Sequence, residues 1–205
     1  MKKVTIFAAL AILLATAVTT VVFAVGRDTQ AKKATLTKVT VAVSGFHCQG
    51  CPDELQRDLA KLNGVADVKA TLSPAQVTAS IDEEKITVSQ FVNAIAKHPT
   101  GMDRTKTYGA KLVAFINTAA CAAQKTMCGA CAPEEQKRLS AIDGVKTVTI
   151  DKTGKIAGIT FAPDAKVTTA QLAKALGESD FHFTVSFTTP TTEAAPAPAG
   201  APSCH

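Results

Sequence analysis

Aromatic residues are scarce in this sequence of 205 residues, which contains no Trp, one Tyr and nine Phe. A hydrophobic core must therefore be built from Val, Ile, Leu and Ala, which suits small domains. The formal net charge is only +5, and the basic residues form no dense block interleaved with aromatic residues. Nucleic acid is therefore excluded as an expected partner.

The sequence also lacks the motifs of an active pump. It contains no ATPase motif, no phosphate-binding loop and no bundle of transport helices. Such motifs would be needed to couple nucleotide hydrolysis to transport. The sequence therefore predicts that this chain does not pump by itself and is not an enzyme of the transport ATPase kind.

The one long apolar run lies at the N-terminus. Lys2 and Lys3 precede residues 4–25, which are apolar apart from Thr. A signal peptide needs an apolar core of ~7–15 residues, and a membrane-spanning helix needs about 20. Residues 1–26 are therefore predicted to be a signal peptide or a membrane anchor, with a buried core helix as the third alternative, and 27–37 a linker. Cleavage and anchoring both export the rest of the chain, which predicts a periplasmic or other extracytoplasmic protein, secreted or tethered to the membrane.

An internal repeat is the strongest signal in the sequence. The motif Cys48-Gln-Gly-Cys51 returns about 80 residues later as Cys128-Gly-Ala-Cys131. The Gly and Val residues that follow each motif, and a later helical segment, recur at nearly the same shift. Motif, turn and second helix therefore repeat in the same order, which predicts one structural unit present twice.

Each unit has the pattern of four strands and two helices. Alternating apolar residues such as Val39, Val41 and Val43 indicate half-buried strands. Pro and acidic residues directly after each cysteine motif indicate the start of a helix. The resulting order, β-α-β-β-α-β, is the ferredoxin-like plan. The predicted fold class is α+β, with two tandem ferredoxin-like βαββαβ sandwiches after the N-terminal signal or anchor helix.

One good strand, residues 110–116, fits two positions in this plan, because it could close the first unit or open the second. Losing a central strand would split a sheet, whereas losing an edge strand would not, so the segment is assigned to the second unit. The first unit then closes with a short polar edge near residues 104–108 or stays open. The predicted domains are therefore 38–108 and 109–188, followed by a disordered Pro/Ala-rich tail at 189–205.

The paired cysteines carry the predicted chemistry. Thiolate is the form that binds metal, and each pair precedes a helix N-terminus whose amides and dipole favour negative charge. Soft thiolates select soft ions, Cu(I) first and Hg(II) or Zn(II) next, although Zn(II) usually requires four ligands. Two alternatives stay open on the residues alone: an extracytoplasmic thiol–disulfide redox protein, and a structural module whose pairs are closed as disulfides.

The first motif resembles a known metal-binding loop. Residues 45–51, Gly-Phe-His-Cys-Gln-Gly-Cys, resemble the Gly-Met-x-Cys-x-x-Cys loop of the heavy-metal-associated domain family. This family includes copper chaperones, the N-terminal modules of copper-transporting ATPases and periplasmic mercury-binding proteins. The resemblance covers residues 38–187 in two copies. It implies one pair of metal ligands in each copy, Cys48 with Cys51 and Cys128 with Cys131.

The sequence departs from the family pattern in both copies. Phe46 occupies the usual Met position, and the loop before the second motif lacks the Gly and is longer. Further donor atoms lie in that loop, beside the first motif and on the tail, which flexible-chain scaling allows to reach a nearby site. The candidate auxiliary ligands are His47, Cys121, Cys204 and His205.

The function predicted from these residues is capture and transfer of a soft metal ion outside the cytosol. An incoming thiolate would attack the bound ion while one of the original sulfur ligands leaves. The expected partners are the metal ion itself and a metal transporter or another metal-binding protein.

Overall fold

The computed structural model describes residues 35–101, 103–121 and 124–188. The predicted signal or anchor segment and the tail with Cys204 and His205 lie outside the described residues, so both stay predictions. Within the described part of the chain, no helix combines the length and the hydropathy that crossing a membrane requires.

The described residues form seven strands, four α-helices and one short 3₁₀ helix. The strands are β1 (Leu36–Ser44), β2 (Val65–Thr71), β3 (Gln76–Asp82), β4 (Gly109–Asn117), β5 (Val145–Ile150), β6 (Ile156–Phe161) and β7 (Thr184–Ser186). The helices are α1 (Gly50–Leu59), α2 (Val88–Lys97), α3 (Cys131–Ser140) and α4 (Thr169–Gly177), and the 3₁₀ helix is Ala119–Cys121.

All strands join one antiparallel sheet in the order β2-β3-β1-β4-β6-β5, with β7 beside β4. The elements β1-α1-β2-β3-α2-β4 have the ferredoxin-like order, and the elements from β4 to β7 follow the same order. The structure therefore confirms an α+β, ferredoxin-like fold with four helices in the described residues.

Strand β4 takes part in both sets of elements. At one edge it pairs with β1 through residues 109–112 and with β7 through 115–117. At its other edge it pairs with β6 through residues 112–115. The sequence assigned this strand to the second unit alone, whereas the pairing shows that it also closes the first, because a strand has two edges that can each accept a neighbour. The two separate domains drawn on either side of residue 108 stay a prediction.

Helix α2 ties the two sets of elements together through side-chain hydrogen bonds. Ser89 is fully buried, and its Oγ donates to the Ala165 carbonyl at 2.7 Å and accepts from the Val167 amide at 2.8 Å. Asn93 Nδ2 donates to the Ala162 carbonyl at 2.7 Å. The same helix packs on β4 and β6. The described elements therefore share one continuous core.

Replacing Ser89 by Ala should lower the free energy of unfolding by about 1–3 kcal/mol, because the Val167 amide and the Ala165 carbonyl would lose a hydroxyl partner at a buried position. Urea unfolding of the full chain measures this change. Ser140→Ala is the matched control, since Ser140 is an exposed helical residue, and its effect should stay within about 0.5 kcal/mol. Equal effects of the two substitutions would show that α2 is not held in this way.

Candidate metal centres

The first cysteine pair lies where β1 passes into α1. Gly45 adopts a φ of +104°, and a Cβ there would lie 3.3 Å from the ring of Tyr108, so the turn favours Gly. The turn leads to Cys48 in the loop and Cys51 in the first turn of α1. The two Sγ atoms are 3.5 Å apart. Cys48 is exposed, whereas Cys51 is only 2% exposed.

The pKa of Cys51 lies below its usual range. Hydrogen bonding with the backbone of His47 is the largest cause, and it outweighs burial, which acts in the opposite direction. The backbone and thiol of Cys48 lower the pKa further. Cys51 therefore becomes a thiolate, the form that binds soft metal ions, more readily than an ordinary thiol does. The side chain of His47 is exposed, and its role as an auxiliary ligand stays a prediction.

Tyr108 is a neighbour of this pair that the sequence did not reveal. Its side chain is 2% exposed. Its ring meets the edge of Phe46 with centroids 5.2 Å apart and stacks on His98 at 5.9 Å. Burial raises the pKa of Tyr108, and the negative charge of the nearby Cys51 thiolate raises it further. Tyr108 and Cys51 are thus buried beside each other, and Cys48 is the accessible thiol of the pair.

His98 supports this arrangement through polar contacts on both of its ring nitrogens. Its Nε2 lies 3.0 Å from Asp58 Oδ2, and its Nδ1 lies 2.8 Å from the Pro99 carbonyl. The pKa of Asp58 falls to about 2, first because of the hydrogen bond from Lys61 and then because of His98. Both ring nitrogens of His98 therefore have polar partners that hold the ring in place, and the ring packs against Tyr108.

The second cysteine pair lies at the start of α3 and contains a third sulfur. Cys128 Sγ and Cys131 Sγ are 2.7 Å apart. Cys121, at the end of the 3₁₀ helix, brings its Sγ into the same cluster, so that all three sulfurs lie within 4.8 Å of one another. The structure therefore places Cys121 beside the pair, where the sequence offered it as an auxiliary ligand.

The pKa of the buried thiol in this cluster shifts in the direction opposite to that of Cys51 in the first pair. The pKa of Cys131 rises to about 12, first because of burial and then because of the neighbouring Cys128 and Cys121 sulfurs. A thiol in such surroundings stays protonated near neutral pH until an ion replaces its proton. The two cysteine sites therefore differ in chemistry as well as in the number of sulfurs.

The β5–β6 turn holds the long loop that precedes the second pair. The Met127 amide donates to the Thr153 carbonyl at 2.7 Å. Gly154 adopts a φ of +73°, and a Cβ there would lie 3.0 Å from the Met127 Cβ. Lys155 Nζ donates to the Cys121 carbonyl at 3.3 Å and also to the Gln124 carbonyl. These contacts position a loop that lacks the Gly of the first copy.

A buried carboxyl group lies one helical turn after Cys131. Glu135 is 0% exposed, and neither of its carboxyl oxygens has a hydrogen-bond partner in the described part of the chain. Burial, and then the charge of Asp151, raise the pKa of Glu135 to about 8. The sequence suggested that Glu135 is a dipole-complementing charge at the start of a helix. The structure instead buries it, so it is largely protonated at neutral pH.

Comparison with known families identifies the first half of this arrangement. The Heavy-metal-associated domain family matches residues 40–101, the range that contains Cys48 and Cys51. Residues 40–101 form a heavy-metal-associated domain. Such a domain is a metal-binding module, and the soft-metal chemistry of the first pair agrees with it. The second copy that the sequence predicted lies outside the matched range and stays a prediction.

Copper transporters are among the proteins that the chain resembles. It is 24% identical over 127 residues to a copper-exporting P-type ATPase of Staphylococcus aureus (strain MRSA252). This alignment covers 62% of this chain and 14% of the ATPase. It is 29% identical over 138 residues to the copper-exporting P-type ATPase of Staphylococcus saprophyticus, which covers 67% of this chain and 16% of the ATPase. The chain thus spans only 14–16% of the length of these relatives.

A solved structure of the water-soluble region of the P-type ATPase CopA from Bacillus subtilis also aligns with the chain. Its TM-score is 0.35 at 18% sequence identity, and the alignment covers 79% of this chain and 99% of that one.

Proposed function

We propose that this protein is an exported carrier that captures a soft metal ion, Cu(I) first and Hg(II) or Zn(II) next, and passes it on by thiolate exchange. The observation that supports it best is the asymmetry of Cys48 and Cys51 within a heavy-metal-associated domain. Their sulfurs are 3.5 Å apart, with one thiol exposed and the other buried. Two soft sulfurs at one helix start favour a soft ion.

The asymmetry of the pair supports transfer of the ion by exchange. Cys51 is buried beside Tyr108 and has a lowered pKa, so its thiolate is the ligand that stays bound. Cys48 is exposed, so an incoming thiolate can approach the ion from that side. The new sulfur then bonds to the ion as Cys48 leaves and takes up a proton. No change in oxidation state is required.

The second cysteine pair is proposed as a second soft-metal site in a second copy of the same unit. The order of elements from β4 to β7 supports this proposal, because it repeats that of β1 to β4. In each half the cysteine pair lies between the first strand and the first helix, as Cys48 with Cys51 and Cys128 with Cys131. The loop after each of these helices also ends in a Gly with positive φ, Gly64 at +87° and Gly144 at +91°.

The proposed location and partners rest on the sequence. Residues 1–26 would export the chain to the periplasm or a similar compartment, and residues 4–25 would tether it if they are retained. The acceptor of the ion would be a metal transporter or another metal-binding protein. The curated relatives named as copper-exporting ATPases favour a copper transporter. The protein would act as a carrier and not as an enzyme.

A thiol–disulfide redox function is the second candidate, and one observation favours it. The sulfurs of Cys128 and Cys131 are 2.7 Å apart, closer than nonbonded sulfur atoms usually lie. The raised pKa of Cys131 opposes this candidate, because redox catalysis requires a reactive thiolate. Metal binding therefore remains the favoured function.

Anaerobic Cu(I) competition tests the proposal. The full chain, reduced and purified in mild detergent, would be titrated against a chromogenic Cu(I) chelator. We expect the protein to withdraw one Cu(I) ion per cysteine pair, since each pair supplies two soft ligands. Reduced protein that withdraws no Cu(I) from the chelator would refute copper binding. A stable reduction potential with turnover of dithiol substrates would then favour the redox function.

A further inference from the structure

The second cysteine cluster has the dimensions of a three-coordinate centre. Cys121, Cys128 and Cys131 hold three Sγ atoms within 4.8 Å of one another. With bonds of about 2.3 Å, three sulfurs around one ion lie roughly 3.4 Å apart when the ion is pyramidal and about 4.0 Å apart when it is planar. Cys128 Sγ and Cys131 Sγ are 2.7 Å apart, so these two thiols must separate by roughly 0.7 Å to hold a pyramidal ion. A linear, two-coordinate ion would leave one of the three sulfurs unused. The cluster therefore offers three ligands to one ion after a small movement of the side chains.

Burial adds a condition on the charge of the bound ion. Cys121 and Cys131 are at most 1% exposed, and Cys128 is half-buried. A net charge that is removed from water is costly unless it is compensated. Three thiolates around a monovalent ion carry two excess negative charges, around a divalent ion one, and around a trivalent ion none.

The charged groups around the cluster compensate only part of the negative charge that three thiolates would carry. Lys155 places its ammonium group against the Cys121 and Gln124 carbonyls, which brings one positive charge to the loop. Glu135, one helical turn from Cys131, is fully buried and brings no positive charge. The Lys155 charge is thus engaged with backbone oxygens and not directed at the sulfurs. A complex that is neutral in itself therefore suits this buried cluster best, and Cu(I) would use two sulfurs and leave the third protonated.

We propose that Cys121, Cys128 and Cys131 form a three-sulfur site that selects a trivalent, sulfur-binding metalloid ion of the arsenite class. Arsenite, As(OH)3, reacts with three thiols to give As(SR)3 and three molecules of water. Each As–O bond that breaks is replaced by an As–S bond, and each thiol proton leaves on the departing hydroxide. Arsenic remains As(III), and no oxidant or reductant takes part. The product is neutral, as burial requires.

This inference deepens the proposed second site by naming its ion and its third ligand. It does not depend on copper binding by the first pair. Cys48 and Cys51 supply two sulfurs, one of them exposed, which suits rapid exchange. The buried three-sulfur cluster suits retention, because an ion with three protein ligands must break more bonds before it leaves.

Arsenite titration of the full chain tests the proposal. Every protein would carry Cys204→Ala, so that the tail thiol cannot contribute, and would be reduced and kept anaerobic. Native mass spectrometry would give the stoichiometry and the number of protons lost, and ultraviolet arsenic–thiolate absorption would give the affinity. We expect one arsenic per chain, with a mass gain of one arsenic atom minus three protons. A bound arsenic with a hydroxide retained would show a two-sulfur site and overturn the proposal.

Two variants locate the bound arsenic. Cys48→Ser/Cys51→Ser should bind arsenite as the unsubstituted chain does. Cys121→Ala should weaken arsenite binding by more than about tenfold, since even an outer partner of a metal ligand contributes that much. Its Cu(I) affinity at Cys128 and Cys131 should change by less than about threefold, because copper uses only two sulfurs there. Arsenite binding that requires Cys48 and Cys51, or that is unaffected in Cys121→Ala, would overturn the proposal.

The two proposals fail separately in these measurements. Absence of Cu(I) uptake together with three-proton arsenite binding would refute copper transfer and support the three-sulfur site. Cu(I) uptake without arsenite binding would refute the three-sulfur site and leave the copper proposal standing. The mass measurement on the chain with all three cluster cysteines does not depend on whether a substituted cluster folds.

Discussion

Replacing Cys48 and Cys51 together by Ser is expected to weaken Cu(I) binding at the first site by at least about a thousandfold, about 4 kcal/mol. The reason is the nature of the ligand, since a hydroxyl is a hard oxygen donor that stays protonated at neutral pH. The chain would then bind one Cu(I) ion fewer in competition with a chromogenic chelator. Cys48 is exposed, and Ser is close in size to the buried Cys51 that it replaces, so the fold should persist.

The reciprocal variant, Cys128→Ser/Cys131→Ser, provides the matched control. It should keep the uptake by the first pair and lose that of the second. Single variants separate the roles within the first pair. Cys48→Ser should slow transfer to an incoming thiol more than Cys51→Ser does, because Cys48 is the accessible sulfur. Retention of full Cu(I) affinity in the first double variant would show that these cysteines do not hold the ion.

Replacing Glu135 by Gln is expected to stabilise the protein at alkaline pH and to change little in acid. The pKa of Glu135 is about 8 in the folded protein, compared with an ordinary value of 4.5. The folded protein thus binds the proton more tightly than the unfolded chain. The contribution of Glu135 to stability is fully present below pH 4.5 and is lost as the pH rises through 8. The loss reaches up to about 5 kcal/mol, and Gln, which does not ionise, avoids it.

Urea unfolding of the reduced, metal-free full chain at pH 5, 7 and 9 measures this difference. The free energy of unfolding of Glu135→Gln should exceed that of the unsubstituted chain by a margin that grows with pH. Glu134→Gln is the matched control, because Glu134 is its partly exposed neighbour and pairs with Arg138 at 2.7 Å. Glu134→Gln should lower the free energy of unfolding by at most about 1 kcal/mol, and this loss should not grow with pH. Parallel pH curves for Glu135→Gln and the unsubstituted chain would show that the carboxyl is not buried as described.

Local signals in the sequence predicted the helices and most strands correctly. The second helix of each half begins with a capping box, Thr87 with Gln90 and Thr168 with Gln171. These bonds join residues three apart, so the sequence carries them directly. Ser89 is different, because its hydroxyl bonds to a loop 76 residues away. No local pattern reports such a contact.

The surroundings of the two cysteine sites depended on contacts that only the folded chain shows. Tyr108 lies near Cys51 because Gly109 pairs with Ser44 across β1 and β4, and that pairing was not expected. Glu135 had a signal that could have been used. It follows Cys131 by four residues and precedes Leu139 by four, so helical periodicity places it on the core face, and both neighbours are buried.

The antiparallel pairing of β1 with β4 places the two cysteine loops at opposite ends of the sheet. Ser44 lies opposite Gly109, and β4 continues from there to Asn117, about 25 Å away at the usual rise of a strand. The loop with Cys48 leaves one end of the sheet, and the loop with Cys128 leaves the other. An ion therefore cannot pass from one cysteine site to the other by a single exchange within one molecule. Under the proposed function, the two sites would each meet a partner protein of their own, one at each end of the sheet.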